Sequence, residues 1–169
     1  MDSDSGNAAR TESERKSDLE LVVARSFAAP VGIVFAAWTQ PDLLRLWWVP
    51  KSCGITFIAC ETDARTGGTY KFVFSHPASE APMTFFGRYI EATPHSRLVW
   101  TNEEGVEGAV TTVTFAAQDG QTRVVMNDTY TSAQALEEAV ASGSTSGFAE
   151  SFAQLDDLLR DLGPGFEGV

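Results

Sequence analysis

The chain has 169 residues, 43% of them apolar and 21% charged, enough for one domain that buries roughly 70% of its unfolded surface without a disulfide or structural metal. Its 23 acidic residues against 12 basic ones leave a formal net charge of -11, which excludes neither a core nor a pocket but disfavours nucleic acid and anionic membrane as partners. No apolar run reaches the length of a membrane span, residues 1–18 carry no secretory apolar segment, and two cysteines make no disulfide framework, so the expected setting is the cytoplasm.

Residues 1–18 are rich in Ser, Asp, Glu and Arg and are expected to be a disordered polar tail, because they offer too little apolar surface to offset ordering entropy. Order is expected from Leu19, with the domain over 19–163 and a short tail over 164–169. Leu21, Val23 and Phe27 alternate with polar neighbours and predict a strand. Pro30 opens a helix whose stripe is Val31, Val34, Phe35 and Trp38. Thr39-Gln40-Pro41-Asp42 restarts a short helix, with a cap expected there, proline at N1 and a carboxylate near the positive dipole end, and Pro50 ends it.

From Gly54 to Tyr130 the period becomes two. Strands are predicted near 54–62, 68–75, 83–92, 96–102, 108–117 and 121–130, separated by turn residues such as Gly67-Gly68, Pro94-His95 and Asp119-Gly120. The short gaps predict an antiparallel meander. Thr131 and Gln134 form a candidate capping box, and Gly143 and Gly147 predict a kink or a break. Phe148, Phe152, Leu155, Leu159 and Leu162 then lie on one helical stripe, which Gly163-Pro164 stops. The fold class is therefore α+β: a curved antiparallel sheet of about seven strands wrapped on a long C-terminal helix. A cavity is expected between the two, entered near the short helices.

Five motifs in order carry a resemblance: Arg25-x-Phe27-x-Ala29-Pro30; Trp38-Thr39-x-Pro41; Trp47-Trp48-x-Pro50; Asp63-x-Arg65-x-Gly67-Gly68; and Gly87-x-Tyr89-x-Glu91-x-x-Pro94. They resemble the START/Bet v 1-like (SRPBCC) superfamily, in the branch of homologues of the activator of the 90 kDa heat-shock protein ATPase. Gly147-Phe148 with Leu155 and Leu158 resembles the start of that family's last helix. The resemblance implies a helix-grip fold with a deep, mostly hydrophobic cavity, and it implies no single activity. This chain has Val49 where the family often has glycine and Phe148 where it often has tryptophan, two changes at the expected pocket mouth.

Of Trp47 and Trp48, adjacent on a short helix, one is expected in the core and the other against the cavity. Tyr70, Phe72 and Phe74 share a strand face, as do Phe85 and Tyr89, Leu98 and Trp100, and Val124 and Met126. The candidate ligand-contacting residues are Trp47, Trp48, Phe72, Phe74, Phe85, Trp100, Met126, Phe148 and Phe152, most of them also ordinary core material.

The candidate polar residues of the cavity or its rim are Arg25, Asp63, Arg65 and Tyr89. Arg25 has inward parity and needs a buried partner, with Glu61 and Asp128 the candidates. Asp63-to-Gly68 reads as a rigid hairpin turn or as a clamp for a polar ligand, the turn being the commoner use. Cys53 and Cys60 are placed on opposite faces of one strand, and neither histidine has a companion at metal spacing, so no metal or cofactor is expected.

The expected function is binding of a small hydrophobic or aromatic molecule by a monomer or weak dimer. A cyclase- or dehydratase-like enzyme and a co-chaperone-like interaction domain are the alternatives. A titratable group deep in the cavity, with room beside it, would favour the enzyme.

Overall fold

The computed structural model describes residues 11–103, 108–141 and 148–162. Eight strands form one antiparallel sheet: β1 (Glu12–Arg15), β2 (Glu20–Phe27), β3 (Thr56–Thr62), β4 (Thr69–Ser75), β5 (Met83–Thr93), β6 (Arg97–Thr101), β7 (Val110–Gln118) and β8 (Gln121–Thr129). Their spatial order is β1-β2-β8-β7-β6-β5-β4-β3, so the first ordered strands close onto the last and the rest is a meander. Asp119 and Gly120, with φ of 53° and 83°, make the tight β7–β8 turn, as the Asp-Gly pair predicts.

The sheet has one strand more than the seven expected. β1 lies in the segment whose composition predicts disorder, and all four of its residues are exposed. It is held by backbone pairing to β2, from Glu12↔Ala24 to Arg15↔Leu21, and by two ion pairs. Glu12 binds Arg123 at 2.8 Å, and Arg15 binds Glu137. Composition weighs side-chain burial and misses a strand held by its main chain.

β5 bends the sheet. Its first half, Met83–Arg88, pairs with β4; its second half, from Tyr89, pairs with β6, with a bulge between Tyr89 and Glu91. Gly87 sits at the bend, where a Cβ would stand 2.0 Å from the Thr101 carbonyl oxygen, so only glycine permits this approach.

Among the described residues there are four α-helices, α1 (Val31–Thr39), α2 (Pro41–Trp47), α3 (Ala133–Ala141) and α4 (Phe148–Leu162), of which α1, α2 and α4 pack against strands of the sheet. In α1 the expected one-sided stripe is wider, with Ile33 through Trp38 all buried, because the helix is packed between β7 and β8 on one side and α2 and α4 on the other. The hydroxyl of Thr39 donates to the Phe35 carbonyl in its own helix at 2.9 Å, so it does not cap α2. Ser132 caps α3: its Oγ accepts the Ala135 N–H at 3.0 Å, in place of the expected Thr131–Gln134 box. Gly143, Gly147 and Gly163-Pro164 lie outside the described residues.

On α4, Phe152, Leu155 and Leu159 are buried on one face. Phe152 meets Phe27 of β2 edge-on at 5.7 Å and Trp38 of α1 at 6.0 Å, which ties helix, sheet and short helices into one core. Cys53 is in a 3-10 turn (Lys51–Cys53) and not on β3, because Gly54 in the left-handed region (φ 70°) ends that turn before the strand begins.

Candidate functional site

The site begins where α2 ends. The last carbonyls of a helix have no partner within it. Here α4 supplies them: Gln154 Nε2 donates to the carbonyls of Trp47 (3.0 Å) and Val49 (2.9 Å), and Ser151 Oγ donates to that of Trp48 (2.9 Å). In return Gln154 Oε1 accepts the Lys51 N–H at 2.8 Å, and Glu150 accepts both the N–H (3.0 Å) and hydroxyl of Ser52. Those two bonds from Ser52 hold the Glu150 carboxyl below its ordinary pKa.

This junction separates the two tryptophans. Trp47 is 1% exposed and donates its indole N–H to the Ala37 carbonyl at 2.9 Å. Trp48, half-buried, packs edge-on against Trp47 at 5.3 Å and lines a cavity of about 590 Å³. Tyr70, Phe72 and Phe74 of β4, Phe85 and Tyr89 of β5, Trp100 of β6 and Met126 of β8 form its sheet wall. Trp38 of α1 and Phe148 of α4 face them. The rings are mutually packed: Trp48 lies 5.9 Å from Phe72 and 6.3 Å from Trp100, and Tyr70 lies 5.8 Å from Tyr89. Phe85 is 36% exposed and marks where the cavity meets solvent.

One end of the cavity is polar. Strand register puts Tyr89, Trp100, Thr111 and Asp128 in a single cross-strand row, so all four side chains leave the same face of the sheet. Asn102 Nδ2 donates to Thr111 Oγ1 at 3.1 Å, and Thr111 Oγ1 donates to Asp128 Oδ1 at 2.6 Å. Tyr70 donates its hydroxyl to the Thr101 carbonyl at 2.7 Å. Burial pushes the Asp128 carboxyl up to about 6, against the smaller opposing effect of the Thr111 hydrogen bond. The neighbouring Tyr130 hydroxyl is pushed up to about 12 by burial and by Asp128, and Tyr89 likewise by burial, although its bond to Thr62 opposes the rise. Asp128 is the one carboxylate in the lining, and no Lys, Arg or His joins it there among the described residues.

Of the residues singled out from the sequence, Trp48, Phe72, Phe74, Phe85, Tyr89, Trp100, Met126 and Phe148 line the cavity. Trp47 and Phe152 do not; they pack behind its wall, 6.2 Å apart. Arg25 is buried but elsewhere. Its partner is Asp156 of α4 at 3.4 Å, not Glu61 or Asp128, because β2 lies under that helix. Asp63 and Arg65 pair with each other at 2.8 Å in the β3–β4 turn, largely in solvent and outside the cavity lining. Gly67 supplies its positive φ of 89°, and Gly68 an approach of 1.9 Å between a would-be Cβ and the Asp63 carbonyl. Cys60 is half-buried, and burial pushes its thiol up to about 11, far from a reactive thiolate.

The polar end as a site was missed from the sequence. Its signal was present: Asp128 has the same strand parity as Val124 and Met126, and a carboxylate at an inward position calls for a reason.

Fold and site together define a helix-grip protein, an open antiparallel sheet closed over an aromatic cavity by helices at both ends of the chain. The family model described as Activator of Hsp90 ATPase homolog 1-like protein matches residues 28–160, and the chain belongs to that family. Among solved structures, a protein from Rhodobacter sphaeroides is 25% identical with a TM-score of 0.82, over 90% of this chain and 99% of that one. A protein from Nitrosomonas europaea is 25% identical with a TM-score of 0.78, over 87% and 97%. An AHSA1-like protein from Aeromonas hydrophila, at 18% identity, has a TM-score of 0.63 over 81% and 93% and shares the fold. No curated protein matches this chain.

Proposed function

We propose that this protein binds one small, mainly apolar molecule between the sheet and the helices. The observation that carries the reading is the 590 Å³ cavity itself, walled by aromatic rings and polar at one end only. That volume suits a ligand of drug size. Apolar ligand surface buried there contributes roughly 25 cal/mol per Å², less the cost of association.

The test is titration with the neutral apolar fluorophore N-phenyl-naphthylamine, alongside native mass spectrometry of freshly purified protein. Saturable binding of one probe per chain is expected, about tenfold weaker in Trp48→Ala, with a co-purified small molecule displaced by the probe. Absence of saturable binding overturns the reading.

A second reading, an enzyme of cyclase or dehydratase type, is favoured by one observation. Asp128 stands in the cavity with a carboxyl raised to about 6, where it can give and take a proton near neutral pH. Chemical change of a bound molecule that stops in Asp128→Asn would establish it; turnover unaltered by that substitution would remove Asp128 from it.

A further inference from the structure

We infer that the cavity recognises an organic ammonium ion, its cationic head held by Asp128 and its hydrocarbon body laid against Trp48, Trp100 and the tyrosines. The inference rests on the ligand-binding reading above and names the chemical class of the ligand.

The hydrogen bonds at the polar end all run one way. Asn102 donates to Thr111, Thr111 donates to Asp128, and Tyr70 spends its proton on the Thr101 carbonyl. Those donors are used within the protein. What is left at Asp128 is acceptor capacity, its second carboxylate oxygen, for which the structure gives no protein partner among the described residues; the unpartnered donor in the lining, the buried Trp38 indole N–H, belongs to the helical wall, and the Tyr130 hydroxyl can donate or accept. A molecule that meets the free oxygen of ionised Asp128 must donate to it.

A carboxylate held away from water without a cation is unfavourable, so the best occupant brings a positive charge. The walls agree with this. Trp100 lies in the same cross-strand row, two strands from Asp128, about 10 Å across the sheet. A short alkyl or aryl amine spans that distance, and its ammonium is attracted by the faces of the rings it passes. The net charge of -11 draws cations toward the molecule from a distance.

The groups around Asp128 leave its charge in control. Thr111 on β7 and Leu21 on β2 are its uncharged cross-strand neighbours. Tyr130 on its own strand end and Tyr89 across the cavity stay neutral through the physiological range. Arg15 of β1 shares the cross-strand row through Leu21, but its guanidinium is engaged by Glu137 of α3. Amine affinity therefore falls as Asp128 takes up a proton, and a neutral ligand of the same shape does not follow.

The experiment displaces N-phenyl-naphthylamine with naphthylethylamine and with its isosteric alcohol, naphthylethanol, at about pH 8 and about pH 5, in the native protein and in Asp128→Asn. The native protein is expected to bind the amine about tenfold tighter than the alcohol at the higher pH and to lose that preference at the lower one. Asp128→Asn is expected to bind the two alike at both pH values, with alcohol affinity kept as the sign of an intact cavity. Equal binding of amine and alcohol by the native protein at the higher pH overturns the inference and leaves the cavity reading standing. So does an amine preference that persists in Asp128→Asn. If neither the fluorophore nor the alcohol binds, the cavity reading falls and this inference with it.

Discussion

Asp128 shows what one residue can decide. Its carboxyl holds a proton more tightly in the folded chain, at about 6, than the ordinary 3.8. Below the lower value both states are protonated and burial costs nothing extra. As pH rises through about 6, the folded state must bury a charge that the unfolded chain leaves in water. Stability conferred by the neutral form is thus complete below the ordinary 3.8 and lost by about pH 6, a difference on the order of 3 kcal/mol. Asp128→Asn is expected to be more stable than the native protein by that order at neutral pH, with the difference shrinking between about pH 6 and pH 4 and gone below the ordinary 3.8, measured by urea unfolding. A constant difference across pH would show that Asp128 does not titrate this way. Arg25 is the opposite kind of buried charge: it is 7% exposed and desolvation lowers its pKa, while Asp156 opposes that fall and the ring of Phe27 lies 5.2 Å away.

Between elements, the α2–α4 junction is the part of the fold that most directly shapes the cavity. Gln154 makes three hydrogen bonds across it, to two carbonyls and one N–H that no helix satisfies. Gln154→Ala leaves those groups without partners and is expected to lower stability by roughly 1–3 kcal/mol. Because the same bonds fix the chain on either side of Trp48, the substitution is also expected to weaken fluorophore binding, although Gln154 does not line the cavity. Differential scanning calorimetry and the probe titration measure the two effects. A stability loss with unchanged affinity would show that Trp48 is positioned by its ring contacts alone.

Across the whole molecule, charge and sheet edges dominate. The sheet is open, with β1 and β3 at its edges. The β1 edge is four residues long, and three of them are charged, which discourages pairing with a second chain. No helix is long and apolar enough to cross a membrane among the described residues. A net charge of -11 repels itself in the compact state. Added sodium chloride, up to about 0.2 M, screens that repulsion over a Debye length near 8 Å and is expected to raise the melting temperature by a few degrees. A fall in melting temperature over that range would mean that the surface ion pairs outweigh the repulsion.

Local periodicity sufficed for what is local. Alternation in Tyr70-Lys71-Phe72 and the spacing of Phe152, Leu155 and Leu159 say which side of a strand or helix faces inward, and the antiparallel sheet with its terminal helix follows from their order. Periodicity names a face and not a neighbour. Only the folded chain could pair Arg25 with Asp156, recruit Glu12–Arg15 as a strand, or bring Gln154 to the end of α2. The same distinction divides the aromatic residues. Trp47 and Phe152 fill space while Trp48 and Trp100 border it. Whether an inward side chain meets another side chain or a void depends on volumes summed over every element around it, which no segment of sequence contains.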